Sequence, residues 1–162
     1  MRNATLGFTL IELLVVMVLI GLLASMVHIS LGDNRARDAR QEANVLLGLM
    51  QGLRDKAVLE TREYGLRLEP EAYQLMRLER ERWQVAQPLV QLPAGLVLSL
   101  TLDGHSQPLT PRSETPQLLW LSSDENTAFS LHLDSPPLRW LSISSDGFGE
   151  PVIDEPETVH EG

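Results

Sequence analysis

The sequence predicts an α+β fold: one long N-terminal helix, transmembrane then amphipathic, packed on antiparallel β-sheets. Three observations predict it. Phe8 to Leu31 is overwhelmingly apolar and holds one carboxylate, Glu12. From Ala36 to Ala57, apolar residues return every three or four positions. From Tyr64 onward they alternate in twos between turn residues. Helical period first and strand period after, never interleaved, separates this class from alternating α/β folds.

The apolar run comes first. At about 1.5 Å per residue, positions 8–31 reach roughly 36 Å as a helix. A hydrocarbon core is about 30 Å thick, so the run is expected to cross a bilayer. A carboxylate inside such a span is costly, so Glu12 calls for a positively charged partner. Gly32-Asp33-Asn34 is helix-poor. The alternatives are two helices joined there, or one long, kinked helix from Phe8 to about Glu60, roughly 80 Å in all. The stripe Ala36, Ala39, Ala43, Leu46, Met50, Leu53 and Ala57 begins at once. Arg40, Gln41, Asn44, Gln51, Arg54 and Asp55 fall largely on the other face. Leu46, Met50 and Leu53 are therefore expected to pack on the sheet.

Strand signals follow. Tyr64, Leu66 and Leu68 alternate with Gly65, Arg67 and Glu69, and Pro70-Glu71 marks a turn. Tyr73–Leu78 alternates imperfectly, as a bulged strand would. Glu79–Arg82 reads as a charged hairpin, a solvated face or a docking surface, before Trp83–Val85 resumes a strand. Leu89–Leu92 precedes the break at Pro93-Ala94-Gly95, and Leu96, Leu98, Leu100 and Leu102 alternate cleanly. His105–Pro116 reads as a loop, rich in Pro, Ser and Thr. Gln117–Leu121 is apolar on both faces, like a central strand. Phe129–Leu133 and Leu138–Ser144 are further strands, with a turn at Asp146–Gly149 and a short last strand at Val152-Ile153. That makes about seven short strands, and an acidic, apolar-poor tail expected to be disordered.

Composition excludes several functions. The chain has 162 residues, a formal net charge of −9 and no cysteine. Such acidity opposes binding to nucleic acid through phosphates. Without cysteine, the domain holds together by packing or with a metal. His28, His105, His132 and His160 show no ligand spacing. His132 reads as a surface or edge residue, and Trp83, Trp120 and Trp140 as core aromatics. Asp124-Glu125-Asn126 and Asp146-Gly147 offer oxygen donors for calcium, but lack an EF-hand pattern and suit turns equally. No hydrolase triad, P-loop or dinucleotide fingerprint appears, so no catalytic residue, cofactor or metal is assigned.

Gly7-Phe8-Thr9-Leu10-Ile11-Glu12 before an apolar helix resembles the class III signal of type IV pilins and type II secretion pseudopilins. The resemblance implies cleavage between Gly7 and Phe8 by a prepilin peptidase, which also N-methylates Phe8. It implies that Glu12 pairs with the free amine of a neighbouring subunit during assembly. Arg2 precedes the span, while Arg35, Arg37 and Arg40 follow it, so charge bias alone does not orient the helix. The motif does: amino terminus cytoplasmic, remainder periplasmic. A plain secretory signal is a poor fit, because the run is long and no A-x-A-like site follows. The pieces Tyr64-Gly-Leu-Arg-Leu68, Tyr73-Gln-Leu75, Trp83 and Ser145-Asp-Gly-Phe-Gly149 are similar to the GspH/FimT family, most of all its GspH-type minor pseudopilins.

That resemblance implies this layout: leader 1–7, transmembrane half-helix 8–31, amphipathic half-helix 32–62, periplasmic β-domain 63–153, acidic tail 154–162. It implies a non-enzymatic subunit of the type II secretion pseudopilus tip, driving export of folded proteins across the outer membrane. Implied partners are the other minor pseudopilins, the major pseudopilin, the prepilin peptidase and the inner membrane, with no nucleic acid. The alternatives are a FimT/FimU-like minor pilin, which would need a basic surface for DNA, or a membrane-anchored exported binding protein. Removal of residues through about Val27 is expected to leave a soluble, folded domain.

Overall fold

The structure is a computed structural model. It describes residues 10–155, without the side chains of 24–33. It has one helix and, among the described residues, ten strands: α1 (Leu10–Glu60), β1 (Tyr64–Glu69), β2 (Ala72–Glu79), β3 (Arg82–Val85), β4 (Val90–Gln91), β5 (Val97–Leu102), β6 (His105–Gln107), β7 (Leu118–Trp120), β8 (Phe129–Ser135), β9 (Leu138–Ser145) and β10 (Val152–Asp154). This is the expected α+β class. The chain divides into two compact units, Met1–Asn34 and Arg35–Gly162. The helical backbone runs on through Gly32-Asp33-Asn34. The helix stops at Thr61, whose φ of 51° is left-handed, and Arg62 N–H closes its end by donating to Ala57 O at 3.1 Å.

In the first unit, the described side chains of α1 are almost all apolar and exposed, from Leu10 at 86% to Leu23 at 65%. Among the described residues no helix is long and apolar enough to cross a membrane. Part of the run expected to do so, 24–31, lies outside the described side chains.

The second unit has its own core. Ala39, Ala43, Leu46, Met50, Leu53 and Ala57 bury one face of α1. The largest side chains, Leu46, Met50 and Leu53, lie mid-stripe, with alanines on either side. Sheet A has the order β3-β2-β1-β7, with β4 sharing the free edge of β2 with β3; every pairing is antiparallel. Register places Leu75, Leu66 and Leu118 in one row and Tyr64 beside Trp120. Sheet B has the order β10-β9-β8-β5-β6, also antiparallel. Its inner rows are Leu98–Leu133–Leu141 and Leu100–Leu131–Ile143–Ile153. These rows and the α1 stripe form one core.

Several expectations are corrected. His105–Gln107 is a strand and not loop. β10 is the short last strand expected at Val152-Ile153, while the strands beyond the expected ones are β4 and β6, two and three residues long. Such short pieces carry no readable period; an existing strand edge recruits them. Tyr73–Leu78 is not bulged: β2 pairs with β1 in unbroken register, and its irregular pattern reflects burial on both faces. The register shift falls instead between Leu133 and Asp134. Gln117–Leu121 supplies an edge strand, β7, not a central one. Its far side is closed by a loop: Thr127 N–H donates to Leu119 O at 3.0 Å, and Leu119 N–H to Thr127 Oγ1 at 2.9 Å. Trp83 lies outside the core cluster, while Trp120 is fully buried and Trp140 packs on its rim. Asp154, placed with the tail by sequence, ends β10, and Glu155 pairs with Arg40 at 2.5 Å.

Gly65 shows why one glycine is required. A Cβ there would collide with the Pro116 ring and crowd Trp83. The missing side chain lets both close over the outer face of sheet A.

Truncating Leu46 should open a cavity under α1. Leu46→Ala is expected to destabilise the domain by about 2–5 kcal/mol. Its neighbour Val45 is 51% exposed, so Val45→Ala should cost little. Urea unfolding of a fragment beginning at His28 checks the pair.

Candidate assembly surfaces

Gly7 and Phe8 lie outside the described residues. Glu12 does not: it stands exposed in the first turn of α1, among Leu10, Ile11, Leu13 and Leu14. A carboxylate there faces the positive end of the helix dipole, which lowers its cost. The chain supplies an acidic acceptor on an apolar cylinder. Leu46, Met50 and Leu53 are consumed inside the domain and offer nothing to a partner.

At one end of the domain two loops meet. Arg54 reaches from α1 to Asp124, donating from Nε to Oδ1 at 2.7 Å and from Nη2 to Oδ2 at 2.9 Å. This fork holds the Asp124 carboxyl below its usual range, chiefly through the hydrogen bond. Asn126 N–H donates to Gly147 O at 2.9 Å, and Asn126 Nδ2 to Ser145 Oγ at 3.0 Å. In the next turn, Asp146 Oδ1 accepts from Phe148 N–H at 3.0 Å and Gly149 N–H at 2.8 Å. These two amides, Gly149 first, lower the Asp146 carboxyl. Of its two glycines only Gly147 takes a positive φ, 96°. The oxygens that suggested calcium are thus engaged by Arg54, Ser145 and backbone amides. No group of three candidate ligands occurs among the described residues.

The turn at 146–149 presents Phe148, 70% exposed. The sequence marks the stretch as a turn and as part of the family resemblance, and assigns Phe148 no role. The available signal was an aromatic ring between two glycines with no apolar neighbour in strand or helix register.

His132, read as a surface or edge residue, is at the surface of a central strand and not at an edge. It lies on β8, flanked by β5 and β9, on the outer face of sheet B. Its Nδ1 is 2.7 Å from Ser142 Oγ and its Nε2 3.3 Å from Thr101 Oγ1. No carboxylate orients the ring: Asp134 accepts from Ser99 at 2.6 Å and Arg139 at 3.1 Å instead. Burial and then Arg139 push the His132 pKa down, against Asp134. The outer rows Ser99–His132–Ser142–Asp154 and Thr101–Ser130–Ser144–Val152 make a hydroxyl-rich face. His105 only meets Asp103 O, at 2.9 Å. His28 and His160 lie outside the described side chains.

Comparison with known proteins adds three findings. The family described as "Prokaryotic N-terminal methylation motif" matches residues 2–27. The chain is 44% identical to Type II secretion system protein H of Pseudomonas aeruginosa, over 94% of this chain and 97% of the relative. It is 31% identical to Type II secretion system protein H of Aeromonas hydrophila, over 91% and 92%. The minor pseudopilin EpsH from the Type 2 Secretion System of Vibrio cholerae shares the fold, with a TM-score of 0.65 and 23% identity. That match covers 74% of this chain and 97% of EpsH.

His132 makes the domain pH-sensitive in a defined direction. With a folded pKa below the unfolded value of about 6.5, the unfolded chain binds its proton first as pH falls. Stability should therefore be full above about pH 6.5 and fall as pH drops toward the folded pKa. His132→Gln should flatten that part of the profile, checked by urea unfolding across the window.

Proposed function

The chain belongs to the type II secretion system protein H family, the GspH-type minor pseudopilins, and from that premise we propose how it works. It is a low-copy structural subunit near the tip of a pseudopilus. It waits in the inner membrane as a precursor, amino terminus cytoplasmic and β-domain periplasmic. The prepilin peptidase cuts between Gly7 and Phe8 and methylates Phe8. The subunit then joins the other minor pseudopilins and the major one below, and the fibre drives folded proteins out of the periplasm. It carries no catalytic role.

The observation that supports this best is the helix surface. The methylation motif covers residues 2–27, and the described part of that stretch is an apolar helix exposed to solvent in the isolated chain. Its side chains need lipid first and neighbouring helices afterwards, since water is the one solvent they avoid. Glu12 adds the selectivity. A carboxylate on this surface is tolerated cheaply only opposite a positive charge, and cleavage creates one at Phe8.

Near-complete coverage of the protein H relatives favours secretion over a FimT-like pilus subunit. The charge agrees: Glu150, Asp154 and Glu155 gather near the last strand, where DNA uptake would require basic residues.

Glu12→Val tests the reading. It removes a charge from an apolar helix, so insertion and cleavage should be unharmed. Cross-linking to the other pseudopilins and exoprotein release should both fall several-fold relative to wild type. Wild-type assembly and secretion in this variant would remove Glu12 as the assembly contact.

A further inference from the structure

Phe148 joins two properties. Its ring is exposed, while the backbone on both sides is fixed. Asp146 Oδ1 takes the amides of Phe148 and Gly149. Gly147 N–H donates to Ser145 Oγ at 3.2 Å, and Gly147 O accepts from the Asn126 amide at 2.9 Å. The second loop is in turn held to α1 through Asp124 and Arg54. Single exposed apolar residues are normal on a surface and by themselves need no explanation. Here the turn has already given up its conformational freedom, and the ring gains nothing from it within the chain. An aromatic side chain on rigid backbone is what a binding anchor requires, because little entropy remains to be lost on docking.

The rim defines the partner's chemistry. Asp124, Glu125, Asp146 and Glu150 are all exposed on these two loops. The nearby cation, Arg54, is already spent on Asp124. A complementary surface is therefore an apolar pocket edged by lysine or arginine. A second copy of this chain is a poor match, because its formal net charge is −9.

We propose that Phe148, on its locked turn within an acidic rim, anchors the β-domain in a basic-edged apolar pocket of another pilin-like subunit of the same fibre. The kind of partner rests on the function proposed above; the surface rests on the geometry of the two loops. This contact is separate from the Glu12 contact at the other end of α1 and orients the domain after the helices have joined.

The test uses the full chain in secreting cells that lack their own copy. A photoactivatable benzoylphenylalanine at position 148 should form an adduct with one pilin-like subunit, identified by mass spectrometry. The same group at Leu138, itself 55% exposed, should not. Reversing the rim with Glu125→Lys and Glu150→Lys should cut the adduct at least about tenfold. Phe148→Ser should lower exoprotein release, with Phe148→Leu retaining more than Phe148→Ser. No adduct at 148, equal adducts at 148 and 138, or an adduct only with a second copy would each overturn the proposal. So would full secretion by Phe148→Ser in cells where the empty strain does not secrete; that result leaves the pseudopilin function standing. If the empty strain secretes normally, the function itself fails.

Discussion

α1 must bury two different apolar surfaces, and this chain can cover only one of them. From Ala39 to Ala57 the apolar face is a single stripe, and the two sheets close over it. From Leu10 to Leu23 the apolar residues cover the whole circumference, and all of them are exposed. A helix that is apolar all round is stable only within a larger apolar surrounding. The remaining features follow from this division. The stripe is narrow, so polar residues can occupy the outer face of the second half. The first half calls for an apolar surrounding beyond the domain's own core, and it carries a single carboxylate, Glu12.

Within the β-domain, the two sheets use their outer faces differently. Sheet A hides much of its outer face: Gly65 admits Pro116, Trp83 lies over it, and Gln74 is buried beneath the chain segment at Gln87, to which its Nε2 donates at 3.1 Å. Sheet B leaves its outer face hydrated and hydroxyl-rich, with His132 at its centre. The loops around Asp124 and Asp146 are locked by side-chain hydrogen bonds.

Much of the fold was legible because its strongest signals are local and periodic. The Ala39–Ala57 stripe and the Leu96–Leu102 alternation each repeat long enough to be read. The losses have physical reasons. β4 and β6 exist only because β2 and β5 offer them an edge. The edge position of β7 was hidden because Thr127 and Asn126 stand in for a missing strand. The place of His132 depends on strand order, which no local pattern encodes. Gly7, Phe8 and Glu12 were named as candidates from a short motif, and their roles rest on that resemblance. Phe148 was not, because its significance lies in the contrast between a fixed backbone and an unpartnered ring, and that contrast is tertiary.

The central claim is that the first half of α1 is released by cleavage to join other helices. The direct measurement is the intact mass of the native protein extracted from the inner membrane. The account predicts the mass of residues 8–162 plus one methyl group, with fragmentation placing that methyl on Phe8. A chain that still begins at Met1, in cells whose other pseudopilins are processed, would contradict it.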